Sequence, residues 1–366
     1  MIDLAFVGDL VLDEPNADYW LSGIAPALLA SDLAIGHLEV PHTAAGREVA
    51  GDVPAPGAPV ANVAAIARAG IGLVSTAGNH MADCGPEGIA QTLALLDEAG
   101  IAHAGCGADL ATARRPAVIT VKQRRIALLS YNCVGPEFGW AGPTSAGVAY
   151  LPLRTVDGSP VTPSADFEGL LPMALAILQD DLAKARAAGD FVIVALHQGR
   201  VHTPALILDY ELQSAHAAID AGADAVVAHH AHIVRGISWY RGKPVFHGLG
   251  NGCVVTSAMS PDQDHPARRD WARRRREMFG FEPDPAYTLA PFHPDAVNAF
   301  IGRLSLADDG TVTASLHPVF VEAPGRPVLV EGAQGRAIAD YVERITRDAR
   351  LPPIRVAADY RIEQIA

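Results

Sequence analysis

The run Ala225-Val-Val-Ala-His229-His230-Ala-His232 constrains this chain more than any other stretch. Its apolar, β-branched start predicts a buried strand, and that strand ends in three histidines within four residues. Open α/β sheets present ligands at strand ends. His230 and His232 stand two apart, so on an extended segment both imidazoles point to one side. Neutral imidazole is the commonest protein metal ligand, so the run predicts metal binding or catalysis at a strand exit.

The same arrangement recurs along the chain. Predicted strands over 2–7, 33–35, 71–76 and 191–196 run into Gly8-Asp9, Gly36-His37-Leu38-Glu39, Gly78-Asn79-His80 and His197-Gln198-Gly199-Arg200-Val201-His202. Further strands are expected over 117–121 and 125–131. Helices are expected over 21–30, 60–69, 86–99, 167–188, 210–221 and 334–348. Residues 53–59 read as a loop, and the Gly/Pro-rich stretch 135–163 as an active-site loop. Hairpins are expected from 234–240 with 244–247, and from 299–306 with 311–321. The pattern breaks near residue 256 into Pro, Asp, Arg and aromatic residues, with a short basic helix at 268–277. The expected organisation is a core over 1–255, an insertion or lid over 256–297, and a hairpin and helix completing the core over 298–366.

Composition narrows the function. A chain of 366 residues with 49% hydrophobic content can bury a substantial core. Its formal net charge of −13 argues against nucleic acid or an anionic membrane surface as main partner. No charged leader precedes the first strand, and no apolar run approaches bilayer length. The four cysteines are scattered without a C-x-x-C pair, which predicts reduced thiols and a cytoplasmic protein.

Asp9, Glu39, Asn79, His197, His230 and His232 all fall just after predicted strands. This mixture of carboxylate, amide and imidazole suits a divalent Mn, Fe or Zn or, with waters, a harder ion such as Ca. No thiolate joins it, which argues against a structural zinc site.

The segments Gly8-Asp9, His37-Leu-Glu39, Ala77-Gly-Asn-His80-Met-Ala-Asp83-Cys-Gly85, His197-Gln-Gly199, Ala228-His-His-Ala-His232 and Gly242-Lys-Pro-Val-Phe-His-Gly-Leu-Gly-Asn251 together resemble the CapA family. These are capsule or poly-γ-glutamate synthesis proteins within the calcineurin-like metallophosphoesterase superfamily. The resemblance covers roughly residues 1–255. It implies an α/β fold, a calcineurin-like αββα sandwich with its metal site at the C-terminal ends of strands. By resemblance, Asp9 and His232 hold one metal position, and Asn79, His197 and His230 the other. Glu39 bridges them, His80 acts as acid or base, and His229 is an alternative ligand. The chain departs from the family at His37 and Gly78 (usually Asn), Gln198 (usually Trp), Ala228 (usually Gly) and Ala231 (usually Pro). His37 and His202 are added imidazoles.

Two enzyme classes need these parts. The family default is metal-assisted hydrolysis of a phosphoester or amide, with His80 protonating the leaving group. Soluble CapA-like proteins also resemble peptide-tailoring enzymes, including epimerases of ribosomally made lasso-peptide precursors. Epimerisation needs two acid/base groups flanking Cα and a cation to stabilise enolate-like charge. His80 with Asp83, and His37 or His202, are the candidates. Arg200 and Asn251 are expected to bind substrate, and the basic run at 268–276 could receive a peptide carboxylate. The expectation is a metal-dependent peptide epimerase, with the hydrolase as alternative. A binding module that has lost its metal is disfavoured, because every ligand-type position is retained.

Overall fold

The computed structural model describes residues 1–49, 56–260 and 264–365. Part of the expected 53–59 loop and part of the 256–297 insertion lie outside the described residues.

Alternation along the strands explains the layering. In the first strand, Ile2–Leu12, Leu4 and Phe6 join a cluster with Ile126, Leu128, Ile193 and Val227 of a second sheet. Ala5 and Val7, on the opposite face, pack with Leu21, Leu28, Val63, Ile66 and Ile89 of covering helices. The second sheet mirrors this: Ala127, Leu129, Val192 and Val194 face away from the first sheet, toward Leu178, Leu182 and Ala215. Successive side chains on a strand take opposite faces, so two such sheets bury one face on each other and the other under helices. The result is an αββα sandwich. Strand Phe191–His197 is buried at every residue, as expected where helices and sheet cover both faces.

The first sheet runs Arg326–Leu329, Val312–Glu322, Asn298–Leu306, Ile2–Leu12, Leu33–Leu38, Ile71–Ser75, Ala102–Ala104, with Asn251–Val255 pairing farther along Ile2–Leu12. The second runs Ile237–Tyr240, Lys243–Phe246, Ala225–His229, Phe191–His197, Arg124–Asn132, Ala117–Val121. The central neighbours within each sheet are parallel, so their C-terminal ends gather along one edge of the sandwich. Helix Gly332–Asp348 buries Ala339, Val342 and Ile345 in the inter-sheet cluster.

Two expected helices differ. The 21–30 helix is divided into Ala17–Leu21 and Ala25–Leu29, because the Gly23 carbonyl accepts from Leu329 N–H at 3.1 Å rather than continuing a helix. The 167–188 helix begins only at Pro172; Phe167–Leu170 is a strand paired with Leu153–Thr155. Proline holds the residue before it extended, and Leu171 sits at φ −73°, ψ 151°. The 135–163 stretch is partly ordered by Glu137–Gly139, Gly147–Val148 and Leu153–Thr155. Cys84, Cys106, Cys133 and Cys253 are buried and unpaired with one another. Among the described residues no helix is long and apolar enough to cross a membrane.

Candidate metal centre

Register in the first sheet sets Asp9 between two neighbours, His37 on one flank and Asn251 on the other. His197 and His229 are paired at the corresponding edge of the second sheet. The first strand shifts register on either side of Asp9, an irregularity of the kind that re-aims a side chain. A Cβ at Gly8 would run into the Gly250 carbonyl, which instead accepts from Asp9 N–H at 3.3 Å. Glycine is what lets these backbones close.

The histidine run is positioned differently from its sequence expectation. Strand Ala225–His229 stops at His229, and His230 and His232 have φ of 90° and 53°. Alternation along an extended segment therefore does not place these two rings; a turn with positive φ does. Such backbone costs about 1–3 kcal/mol per residue and persists only where its surroundings enforce it. His230 N–H donates to Asp9 Oδ1 at 3.3 Å and ties the two sheets together.

Three groups of ligand atoms each lie within 4.8 Å of one another: Glu39, His197 and His230; Asp9, Glu39 and His232; Asp9, His37 and His197. Asn79 Oδ1 is 2.7 Å from His197 Nε2. Glu39 Oε1 is 3.3 Å from His232 Nε2 and 3.9 Å from His197 Nε2. Asp9 reaches within 3.7 Å of both His232 Nδ1 and His229 Nδ1. The residues expected at two positions sharing Glu39 are thus brought together, with His229 beside Asp9.

The donors fit a divalent cation. Both ring nitrogens of His230, Nδ1 of His197 and Nδ1 of His229 are buried without a hydrogen-bond partner. Burial pushes His230 down to about 3 and His197 and His229 well below the usual imidazole range, so their rings are neutral and carry a free lone pair. Burial also pushes Asp9 up, to about 7, with Glu39 adding to the shift. Burial acts the same way on Glu39, but His232 outweighs it and holds the carboxyl low, while Glu39 holds His232 high against burial. A cation among these groups would take over the balancing of the two carboxylates.

Asn251 is placed behind a ligand rather than on the cavity described next. Its Oδ1 lies 3.0 Å from His232 Nδ1, which turns Nε2 toward Glu39. Asn251 also lines a smaller cavity of about 230 Å³ with Tyr287, Phe292 and His293. His37 is not a cavity residue: it is 1% exposed, with its ring against His197 and His229 at 4.7 and 4.6 Å.

A cavity of about 770 Å³ opens onto Glu39, Asn79, His230 and His232. His80 lies on its wall, and Asp83, 2% exposed, stands 2.7 Å from His80 Nδ1. His202 also lines the cavity, packed against Phe279, Phe281 and Phe292 at 4.8, 5.3 and 5.4 Å. Arg200 reaches the rim and pairs with Asp166. Across from the strand ends, Trp271, Arg274, Met278, Phe279 and Phe292 complete the wall.

The basic helix spans Pro266–Phe279. Arg275 turns inward, 4% exposed, donating to the Pro291 and Met259 carbonyls at 2.6 and 3.1 Å and lying 4.8 Å from the Trp271 ring centroid. It is therefore an anchor for this segment, a role the sequence reading missed because all six arginines looked alike. A second missed element is the fully buried pair Arg235–Glu211, at 2.5 and 3.1 Å. A Cβ at Gly199, φ 102°, would clash with the Arg235 guanidinium, so the pair fixes the loop after His197 to the chain after His232.

The family model described as bacterial capsule synthesis protein PGA_cap matches residues 3–254. A Mycobacterium tuberculosis protein named "probable polyglutamine synthesis accessory protein" is 32% identical over 52% of this chain and 47% of its own length. The PGA biosynthesis protein CapA of Bacillus subtilis is 26% identical over 69% of this chain and 63% of its own. These matches span roughly half to two thirds of the relatives' length. Among solved structures, a Thermus sulfate thiohydrolase SoxB aligns over 91% of this chain and 47% of that one at 11% identity and a TM-score of 0.42, too loose a likeness to carry argument. The family match covers most of the chain, including every residue of the strand-end cluster: the protein belongs to the bacterial capsule synthesis protein PGA_cap family.

Proposed function

We propose that this chain is a metal-dependent enzyme acting on a peptide-type substrate, with His80 and Asp83 moving the proton. The observation that carries it is the His80–Asp83 pair on the wall of the cavity that Glu39, His230 and His232 also face. When bound at Asp9, Glu39, Asn79, His197, His230 and His232, a divalent metal would supply Lewis acidity and an activated water. Asp83 fixes the tautomer of His80 by accepting from Nδ1–H, and the ring stands on the cavity wall where the substrate would lie. The segment around Trp271 and Phe279 covers the reacting group, and Arg200 and Arg274 at the wall are placed to meet a carboxylate. The relatives are named for polyglutamine and PGA synthesis, which favours an amide-bonded substrate over a phosphoester.

Amide hydrolysis needs one cavity-facing acid, and His80 fills that role. Inversion at Cα needs two such groups, and it remains a second reading because His202 also lines the cavity. Burial holds the His202 imidazole well below its usual range, so the ring is neutral and only a weak proton acceptor, which counts against the second reading.

Incubation of glutamate-containing peptides with metal-loaded enzyme in heavy water separates the readings. Hydrolysis gives two fragments with no α-carbon label; inversion gives one deuterium at unchanged length. His80→Ala should keep its metal and lose about a hundred- to ten-thousandfold in turnover. Loss of metal from that variant, or a normal rate, would contradict the assignment.

A further inference from the structure

We propose that His37 is an additional metal ligand, forming with Asp9 and His197 a cation position separate from the two that share Glu39. The proposal rests on the metal-centre reading above and extends it.

Ser75 is placed to support the tautomer of His37 that a metal would need. Ser75 Oγ donates to the Gly36 carbonyl at 3.3 Å and lies 2.9 Å from His37 Nδ1. A hydroxyl has one proton, so with that proton given to Gly36 it accepts from Nδ1–H. The lone pair is left on Nε2, the nitrogen a metal would take. Nε2 is buried and has no hydrogen-bond partner. Leaving a buried polar atom unmet costs about 1–3 kcal/mol, which a cation bound at Nε2 would recover.

The surroundings supply the rest of a site. Asp9, His37 and His197 offer ligand atoms within 4.8 Å of one another. His229 stacks on His37 at 4.6 Å and 17°, with its own unpartnered Nδ1 3.7 Å from Asp9 Oδ1. A Cβ at residue 78 would lie 3.1 Å from His37 Nε2, so glycine there keeps the front of the ring clear. Asp9 and Glu39 have two oxygens each to divide between the two groups they belong to, whereas His197 serves both of its groups only as a bridging ring, one nitrogen on each cation, with its N–H proton released to solvent. A position with two imidazoles and a single carboxylate oxygen favours zinc, iron or another nitrogen-preferring ion over calcium or magnesium. Its place behind the cavity makes it a support for Asp9 and His197 rather than a substrate contact.

Metal stoichiometry tests this without any assay of activity. Wild type, His37→Asn and Gly78→Ala are each loaded with zinc, freed of excess ion and subjected to elemental analysis. His37→Asn is expected to hold one equivalent per chain fewer than wild type, and Gly78→Ala to bind that equivalent more weakly. Ser75→Ala, which frees the ring to turn, should weaken it about ten- to a hundredfold. Anomalous diffraction from zinc-loaded wild-type crystals should show a peak among Asp9, His37 and His197, and it decides the matter if His37→Asn does not fold. Equal stoichiometry in wild type and His37→Asn, with no peak beside His37, overturns this proposal and leaves the Glu39-bridged centre standing. Absence of stoichiometric zinc from wild type overturns both.

Discussion

The strand-end cluster and the aromatic wall opposite it enclose the same cavity but are built in different ways. Asp9, His37, Glu39, His197 and His230 come from or directly follow buried strands whose register is shared with neighbours, and each is 1–2% exposed. The wall of Trp271, Met278, Phe279 and Phe292 comes from one helix and irregular chain, held by Arg275 through two backbone carbonyls. Side chains on paired strands are pre-positioned to within fractions of an ångström, whereas those on a helix resting on a few contacts can adjust. The first region is suited to fixing a cation and the second to selecting a substrate.

The largest expected effect breaks the first region. Glu39→Ala removes the group common to two ligand sets, so metal content should fall to no more than the one equivalent held by Asp9, His37 and His197, and activity should be lost. Elemental analysis that still finds a full complement would show that the cluster does not depend on its shared carboxylate. On the opposite side, Trp271→Ala should leave metal content unchanged and raise KM about tenfold for substrates with apolar groups, the scale expected when a pocket loses an apolar contact. If metal content falls as well, the two regions are not separable.

The smallest effect lies at the seam between them, where Asp13 lines the cavity beside Thr256. Burial raises the Asp13 carboxyl from its usual 3.8 to about 7, against a hydrogen bond from Thr256 that lowers it. The folded state thus binds this proton more tightly than the unfolded one, so stability from this group is present below about pH 4 and is lost as pH rises towards 7. Asp13→Asn should flatten that part of the pH–stability curve in thermal melts. Parallel curves for wild type and variant would refute the assignment.

Much of the fold was legible because apolar runs at strand or helix period appear directly in the sequence. Strand 117–121 is predicted at its observed bounds, and Phe191–His197 extends its prediction by one residue. The short strands Phe167–Leu170, Arg326–Leu329 and Ile354–Val356 were missed, since three or four residues carry too little periodicity to stand out. The gathering of Asp9, Glu39, Asn79, His197, His230 and His232 was also legible, because parallel strands must end on one edge and each ends in a ligand-type residue.

Sequence alone determined which side chains reach that edge, since strand order in the chain and the polar residue closing each strand are local properties. Only the tertiary structure decided what each one does there. Asn251, expected to contact substrate, is also the partner of His232, and His37, expected to move a proton, is packed as a buried neighbour of Asp9. Arg275 became an anchor while Arg274 faced the cavity. The reason is physical: a residue's type fixes its chemistry, but its role depends on which nitrogen or oxygen is left unmet after packing, and that is set by contacts between residues hundreds of positions apart.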